Sequence, residues 1–249
     1  MHRFHLPAEQ CRGSTLTLAG DEAHHAARVL RVQPGEHVTV LDGTGGEFLC
    51  EVGEVTKREV TLRVVERKVH PAPPFQITLL LAVPKGKIIE SVIEKATELG
   101  AHRIVPLLTE RVTTRLNEES AADKGAKWQH VAVEAIKQCG AAWLPKVEAP
   151  VTFNHYRPRG EEFDLALVGA LQGEARHPRE VFREYEMQHN TRPRSVAIWI
   201  GPEGDFTREE LAAIQAAGAK PITLGPLVLR VETAAIYCLS FLNYELRRL

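Results

Sequence analysis

Two stretches of this chain hold residue types that suit a ligand more than a plain turn. The first is Ile200–Thr207 (IGPEGDFT), which follows an apolar run and precedes a helix signature. Gly201 and Gly204 let the main chain come close to a bound molecule, and Pro202 stiffens the loop between them. The second is Leu224–Ala235 (LGPLVLRVETAA), where another apolar segment ends in Gly225-Pro226 and a second helix begins. Arg230, Glu232 and Thr233 gather at that helix start, where the helix dipole favours Glu232 and Thr233 can serve the first turn. Each loop alone is also explained as a glycine-dependent βα turn with a capped helix behind it. Two Gly-Pro loops at strand ends in one half of the chain point to a pocket lined by backbone. Its N–H and C=O groups are able to read the edge of an adenine. The dinucleotide fingerprint G-x-G-x-x-G is absent, so a nicotinamide oxidoreductase is the least favoured chemistry.

The elements that must hold these loops follow from periodicity. Ile77–Val83, Ile104–Leu108, Asp164–Val168, Val196–Ile200 and Pro221–Leu224 read as strands, the first as a continuous apolar run suited to a buried parallel sheet. Ile88, Ile89, Val92, Ile93, Ala96 and Leu99 recur at helical spacing and stop at Gly100. Further helices are expected over Glu118–Gln138, Thr207–Ala217 and Val231–Arg248. Thr207 and Glu210 form a capping-box signature at the start of the second. Strand–helix alternation implies an α/β domain with a parallel sheet, which places ligands at the carboxyl ends of its strands.

Upstream the pattern changes. His70–Pro74 (HPAPP) cannot continue a helix or a central strand. Before it, Glu36–Leu41, Glu47–Val55 and Glu59–Val65 alternate as strands, Asp42–Gly46 suits a hairpin turn, and one short helix is expected near Asp21–Leu30. The expected division is residues 1–70 as a small β-barrel and 75–249 as the α/β domain. Met187–Ser195 reads as the most loop-like stretch.

The 249 residues are 44% hydrophobic and 25% charged with a formal net charge of -1, ordinary for a globular protein and without a global pull toward nucleic acid. Any RNA binding must come from local patches. Cys11, Cys50, Cys139 and Cys238 form no C-x-x-C pair, so reduced thiols are expected rather than zinc or a redox motif. His24 and His25 lack a third ligand at metal spacing, and no metal is expected. The first residues lack an apolar signal segment and no run is long enough for a bilayer, so a cytoplasmic protein without membrane association is expected.

Taken in order, the motifs resemble a known family. The two loops, GPEGDF and LGPLVLRVETA, look like those of SPOUT methyltransferases, and more narrowly like the RsmE family, which methylates uridine N3 in 16S ribosomal RNA. Glu94–Gly100 (EKATELG), Pro106–Arg111 (PLLTER), His24–Arg31 (HHAARVLR) and Asp42-Gly43 are similar to segments of the same family. The resemblance implies a PUA-like β-barrel followed by a SPOUT-type parallel sheet with a C-terminal trefoil knot. It implies a homodimer acting on 16S ribosomal RNA or the small ribosomal subunit. It also implies S-adenosyl-L-methionine as cofactor, held by Ile200, Gly201, Pro202, Gly204, Leu224, Gly225, Leu229, Thr233 and Ala234, with Val168 and Gly169 lining the same pocket.

For such a reaction the N3 proton must leave or the uracil anion must be stabilised. Arg230 is the expected electrostatic stabiliser and Glu232 its partner or the base, with Glu203 a further candidate. His25, Arg28 and Arg31 in the first domain, and Lys95 and Arg111 in the second, are the expected RNA contacts. Two departures stand out. Lys137 and Ala141 occupy positions where the family usually carries glutamate and arginine, and Lys85-Gly86-Lys87 replaces a lysine–acidic–basic pattern. The alternatives are a SPOUT methyltransferase with another RNA target, or a non-catalytic RNA-binding or ribosome-assembly factor.

Overall fold

The computed structural model describes residues 1–113, 118–170 and 175–247. Two compact units divide them: Met1–Ala72 with Val133–Leu144, and Pro73–Ala132 with Pro145–Leu249.

The N-terminal unit is built on β1 (Arg3–His5), β2 (Thr15–Ala19), β3 (His37–Leu41), β4 (Gly46–Val55) and β5 (Glu59–Val69), in the order β1-β3-β4-β5-β2. Only the β1–β3 pairing is parallel. Alternation along β2 turns Leu16 and Leu18 inward onto Phe4, Val38, Val40, Val60 and Leu62. The β3–β4 hairpin closes as expected, with Asp42 Oδ1 accepting from the Thr44 and Gly46 amides at 2.7 and 2.8 Å. The expected short helix is α1 (Gly20–His24), which runs on as a π-helical turn over His25–Leu30. Arg31 ends that turn with φ 54°.

In the C-terminal unit β6 (Gln76–Ala82), α2 (Ile88–Glu98), β7 (Arg103–Leu108) and α3 (Glu118–Cys139) come first. From Val133 onward α3 belongs with the N-terminal unit. Then follow β8 (Lys146–Val147), β9 (Val151–Thr152), α4 (Phe153–Tyr156), β10 (Leu165–Gly169) and α5 (Pro178–His189). The chain closes with β11 (Ser195–Ile200), α6 (Arg208–Ala216), β12 (Lys220–Ile222) and α7 (Val231–Leu246). Arg248, where the final helix was expected to end, lies outside the described residues. The sheet order is β12-β10-β11-β6-β7-β8, with β9 also on β7, and every pairing is parallel. Leu79, Leu80, Leu81 and Ile198 are fully buried, as strands covered on both faces require. Pro221 lies on the edge strand β12, where a missing N–H is tolerated.

The structure departs from the sequence reading in the middle of the chain. The segment Met187–Ser195 is not all loop: α5 runs to His189 and stops at Asn190, whose φ is 51°. His177 accepts from the Arg179 amide as N-cap and Pro178 takes the first helical position.

Candidate active site

One cavity of about 680 Å³ opens where β10, β11 and β12 end side by side. Gly169 closes β10, Ile200 and Gly201 close β11, and Thr223 and Leu224 follow β12. The chain order of these neighbours makes this a switch point of the sheet, the usual place for a ligand in an open parallel sheet.

The first wall is the Gly201–Thr207 loop. The Asp205 amide donates to the Pro202 carbonyl at 2.9 Å, making a tight turn, and Asp205 takes φ 61°, which its short polar side chain tolerates. Asp205 Oδ1 accepts from the Phe206 amide at 2.8 Å. A Cβ at Gly201 would stand 3.0 Å from Asp205 Oδ1 and 3.2 Å from the Phe206 nitrogen, so any other residue would press on the loop by a few tenths of an ångström. Glu203 lines the cavity and its Oε1 accepts from the Lys85 amide at 3.0 Å. Behind the loop, Thr207 and Glu210 complete the expected capping box at the start of α6. Glu210 also accepts from the Glu110 amide at 2.9 Å.

The second wall is the stretch from Leu224 to Arg230. Gly225 has φ 109°, and its amide donates to Thr223 Oγ1 at 3.2 Å. Leu224 and Leu229 supply half-buried apolar surface, with Ile88 and Ala234 nearby. Arg230 is the N-cap of α7 with no side-chain cap of its own, and Glu232 lies in the first turn. Both line the cavity. The structure gives them no ion pair with each other: among the described residues, neither guanidinium nor carboxylate has a partner.

The expected site residues therefore fall into groups. Gly169, Ile200, Gly201, Pro202, Leu224, Gly225, Leu229, Ala234, Arg230 and Glu232 come together around the cavity. Val168 is fully buried one residue behind Gly169, Thr233 points outward from α7, and Gly204 contacts Arg111; none of the three lines the space. Ile88, Asp205, Leu227 and Val228 line it without having been singled out as ligand contacts. Their proximity to the two motifs was the available signal for the last three; Ile88 arrives only through the tertiary fold.

The expected RNA contacts are scattered. Arg28 and Arg31 are exposed, whereas His25 is half-buried and meets the Phe4 ring edge-on at 6.3 Å. Lys95 is paired with Glu98 at 2.8 Å. Arg111 is a latch: its guanidinium donates to the Gly204 carbonyl and, at 3.4 Å, to that of Phe206. Lys137 is 7% exposed and donates to Glu22 at 2.7 Å and Glu134 at 2.8 Å. Burial alone would lower its pKa, but the hydrogen bonds and negative charges of Glu134 and Glu22 together hold the ammonium above its ordinary value. Its role in the N-terminal unit is structural.

The chain is similar to known proteins over nearly its whole length. A model described as an RNA methyltransferase domain matches residues 71–243, and one described as an RNA methyltransferase PUA domain matches residues 18–65. The ribosomal RNA small subunit methyltransferase E of Synechocystis sp. is 34% identical over 246 residues, covering 97% of this chain and 77% of that protein. A Legionella pneumophila structure in complex with the bound cofactor SAM superposes with a TM-score of 0.87 at 33% identity, over 98% of this chain and 97% of the other. The Neisseria gonorrhoeae ribosomal RNA small subunit methyltransferase E, bound to S-adenosyl methionine, gives 0.84 at 26% identity over 98% of each chain. Fold and site together define an RNA methyltransferase with an N-terminal PUA domain. The chain belongs to the ribosomal RNA small subunit methyltransferase E family.

Proposed function

We propose that the protein methylates N3 of a uridine in small-subunit (16S) ribosomal RNA with S-adenosyl-L-methionine. The observation that carries the reading is the cavity shared by both Gly-Pro loops. Its volume lies within the ~300–1,000 Å³ usual for small-molecule sites. Its residues suit this cofactor. Leu224, Leu229 and Ala234 offer apolar faces for an adenine, and Gly201 presents bare backbone to the cavity. Glu203, Asp205 and Glu232 outnumber Arg230 on the lining, an excess of carboxylate that favours a ligand carrying a sulfonium and an ammonium.

The cofactor supplies an electrophilic methyl on a positively charged sulfur. The chain's own part is to bind, orient and handle a proton. The fastened Gly201–Thr207 loop keeps its wall in place, which is how positioning contributes to rate. Arg230, exposed at the cavity rim with no carboxylate partner among the described residues, is free to donate to a uracil oxygen as the N3 proton leaves. Glu232, two residues on and half-buried, is a candidate acceptor for that proton. N3 lies on the pairing edge, so the uridine must be unpaired or splayed on arrival.

The same reading assigns residues 1–70 to RNA binding, with Arg28 and Arg31 as exposed phosphate contacts, and residues 75–249 to catalysis. It includes a trefoil knot, a homodimer and a cytoplasmic site of action, as the family resemblance implies. Among the described residues no helix is long and apolar enough to cross a membrane. The test is nucleoside mass spectrometry of small-subunit ribosomal RNA after incubation with enzyme and labelled cofactor. Arg230→Ala is expected to lower kcat at saturating RNA roughly 10²–10³-fold, the usual cost of one stabilising donor. Normal turnover by that variant would remove Arg230 from the mechanism, and an absence of methyl-N3-uridine with intact enzyme would overturn the function.

A further inference from the structure

We propose that Lys85 and Lys87 grip the RNA backbone at the mouth of the cavity, on phosphates flanking the target uridine. The inference rests on the methyltransferase reading above and extends it to a contact surface in the catalytic unit.

The loop between β6 and α2 reaches the cavity from both of its ends. At one end the Lys85 amide donates to Glu203 Oε1 at 3.0 Å, and Glu203 lines the space; at the other, Ile88 lines it directly. Gly86 between the lysines has φ 70°, and a Cβ there would meet nothing within 4 Å. Lys85, Gly86 and Lys87 are all exposed. The backbone of the loop is thus pinned to the catalytic wall while its two ammonium groups stand in solvent.

Two nearby carboxylates are turned to other groups than these ammoniums. Glu203 is engaged with the main chain of Lys85, and Glu90, on the first turn of α2, pairs with Lys127 at 2.6 Å. Neither Lys85 nor Lys87 has an ion-pair partner among the described residues. The cations expected from sequence to meet RNA in this unit are otherwise committed: Lys95 to Glu98, and Arg111 to loop carbonyls. An acidic cavity lining with an adjacent basic rim separates two tasks. The inside favours a cationic cofactor, while the rim favours the anionic backbone that must run past it. Lysine, as a flexible point charge, suits phosphates whose positions depend on how the strand is splayed.

The experiment measures binding of a small-subunit ribosomal RNA fragment, by fluorescence anisotropy over a salt series, to the full-length wild type, K85A/K87A and K85R/K87R. Cofactor affinity is measured on the same proteins by calorimetry. For K85A/K87A we expect RNA affinity to fall about tenfold. The slope of log affinity against log salt should shrink by about 1.4, at roughly 0.7 per single-strand phosphate. Cofactor affinity should stay within about twofold, and the arginine pair should restore the slope. A wild-type RNA affinity and salt slope in K85A/K87A would overturn the proposal, as would weaker RNA binding with an unchanged slope. If wild type binds RNA with the lysine-dependent slope yet methylates nothing, the contact stands and the methyltransferase reading falls.

Discussion

The loop from Gly201 to Thr207 and the stretch from Gly225 to Arg230 carry similar motifs, yet the fold holds them differently. The first is tied on all sides: Arg111 reaches the Gly204 carbonyl, the Lys85 amide reaches Glu203, and a capping box closes the helix behind it. The second is held at its start by the Thr223 hydroxyl and runs past Leu227 and Val228, which are 74% and 78% exposed, into a helix without a side-chain cap. The first presents a fixed surface, with its ordering cost already met during folding. The second keeps apolar surface still to bury and unsatisfied N–H groups at the start of α7. One wall of the cavity is therefore a template, and the other is suited to adapt around what the template holds.

The largest effect that would break this comparison is steric. In Gly201→Trp any side chain meets Asp205 and Phe206 at once, so cofactor affinity should fall by more than ~100-fold in calorimetry, about 2.7 kcal/mol. Unchanged affinity would mean that the tied loop is not a cavity wall. At Gly225 there is open space around a built Cβ, and the obstacle is the positive φ. Gly225→Ala should cost on the order of 1–3 kcal/mol of strain, read as roughly tenfold weaker cofactor binding; a silent substitution would show that this stretch refolds freely. The smallest effect is Thr207→Ala, which removes the N-cap of α6. It should lower unfolding free energy in urea by about 1 kcal/mol while cofactor affinity changes less than about threefold. A larger loss of binding would show that the cap tunes the loop as well as the helix.

Much of this architecture is legible in the chain itself. The capping box at Thr207 and the buried strands at Ile77–Val83 and Val196–Ile200 are signalled by local residue types, and the structure carries them with small shifts at the ends. Other elements are not legible for physical reasons. The strands β8 and β9 have two residues each, too few for any period. The helix α5 is missing from the sequence reading, and its polar tail past Glu186 resembles loop composition. The partners of charged residues are set by tertiary distance. Arg111 meets carbonyls more than ninety positions away, and Lys137 meets Glu22 across 115 positions. A sequence reading sees Arg111 as a cation available to RNA and Lys137 as a departure from the family pattern, while the fold engages the first with its loops and the second with its interior.

The placement of Val133–Leu144 bears on how such a protein can be rebuilt or inherited. A cut at Ala72 would yield a fragment without Lys137 and Trp143. Glu22, one of whose oxygens is already buried without a partner, would then lose its counter-charge. A small domain has little stability to lose, so the missing ion pair weighs heavily there. The Trp143 indole, which donates to the Pro71 carbonyl at 3.1 Å, would be missing as well. The N-terminal unit is thus not a cassette that recombination can graft with one crossover. To travel to another scaffold it must take a stretch of distant helix with it, so swapped chimaeras should succeed only when both junctions of that stretch are copied.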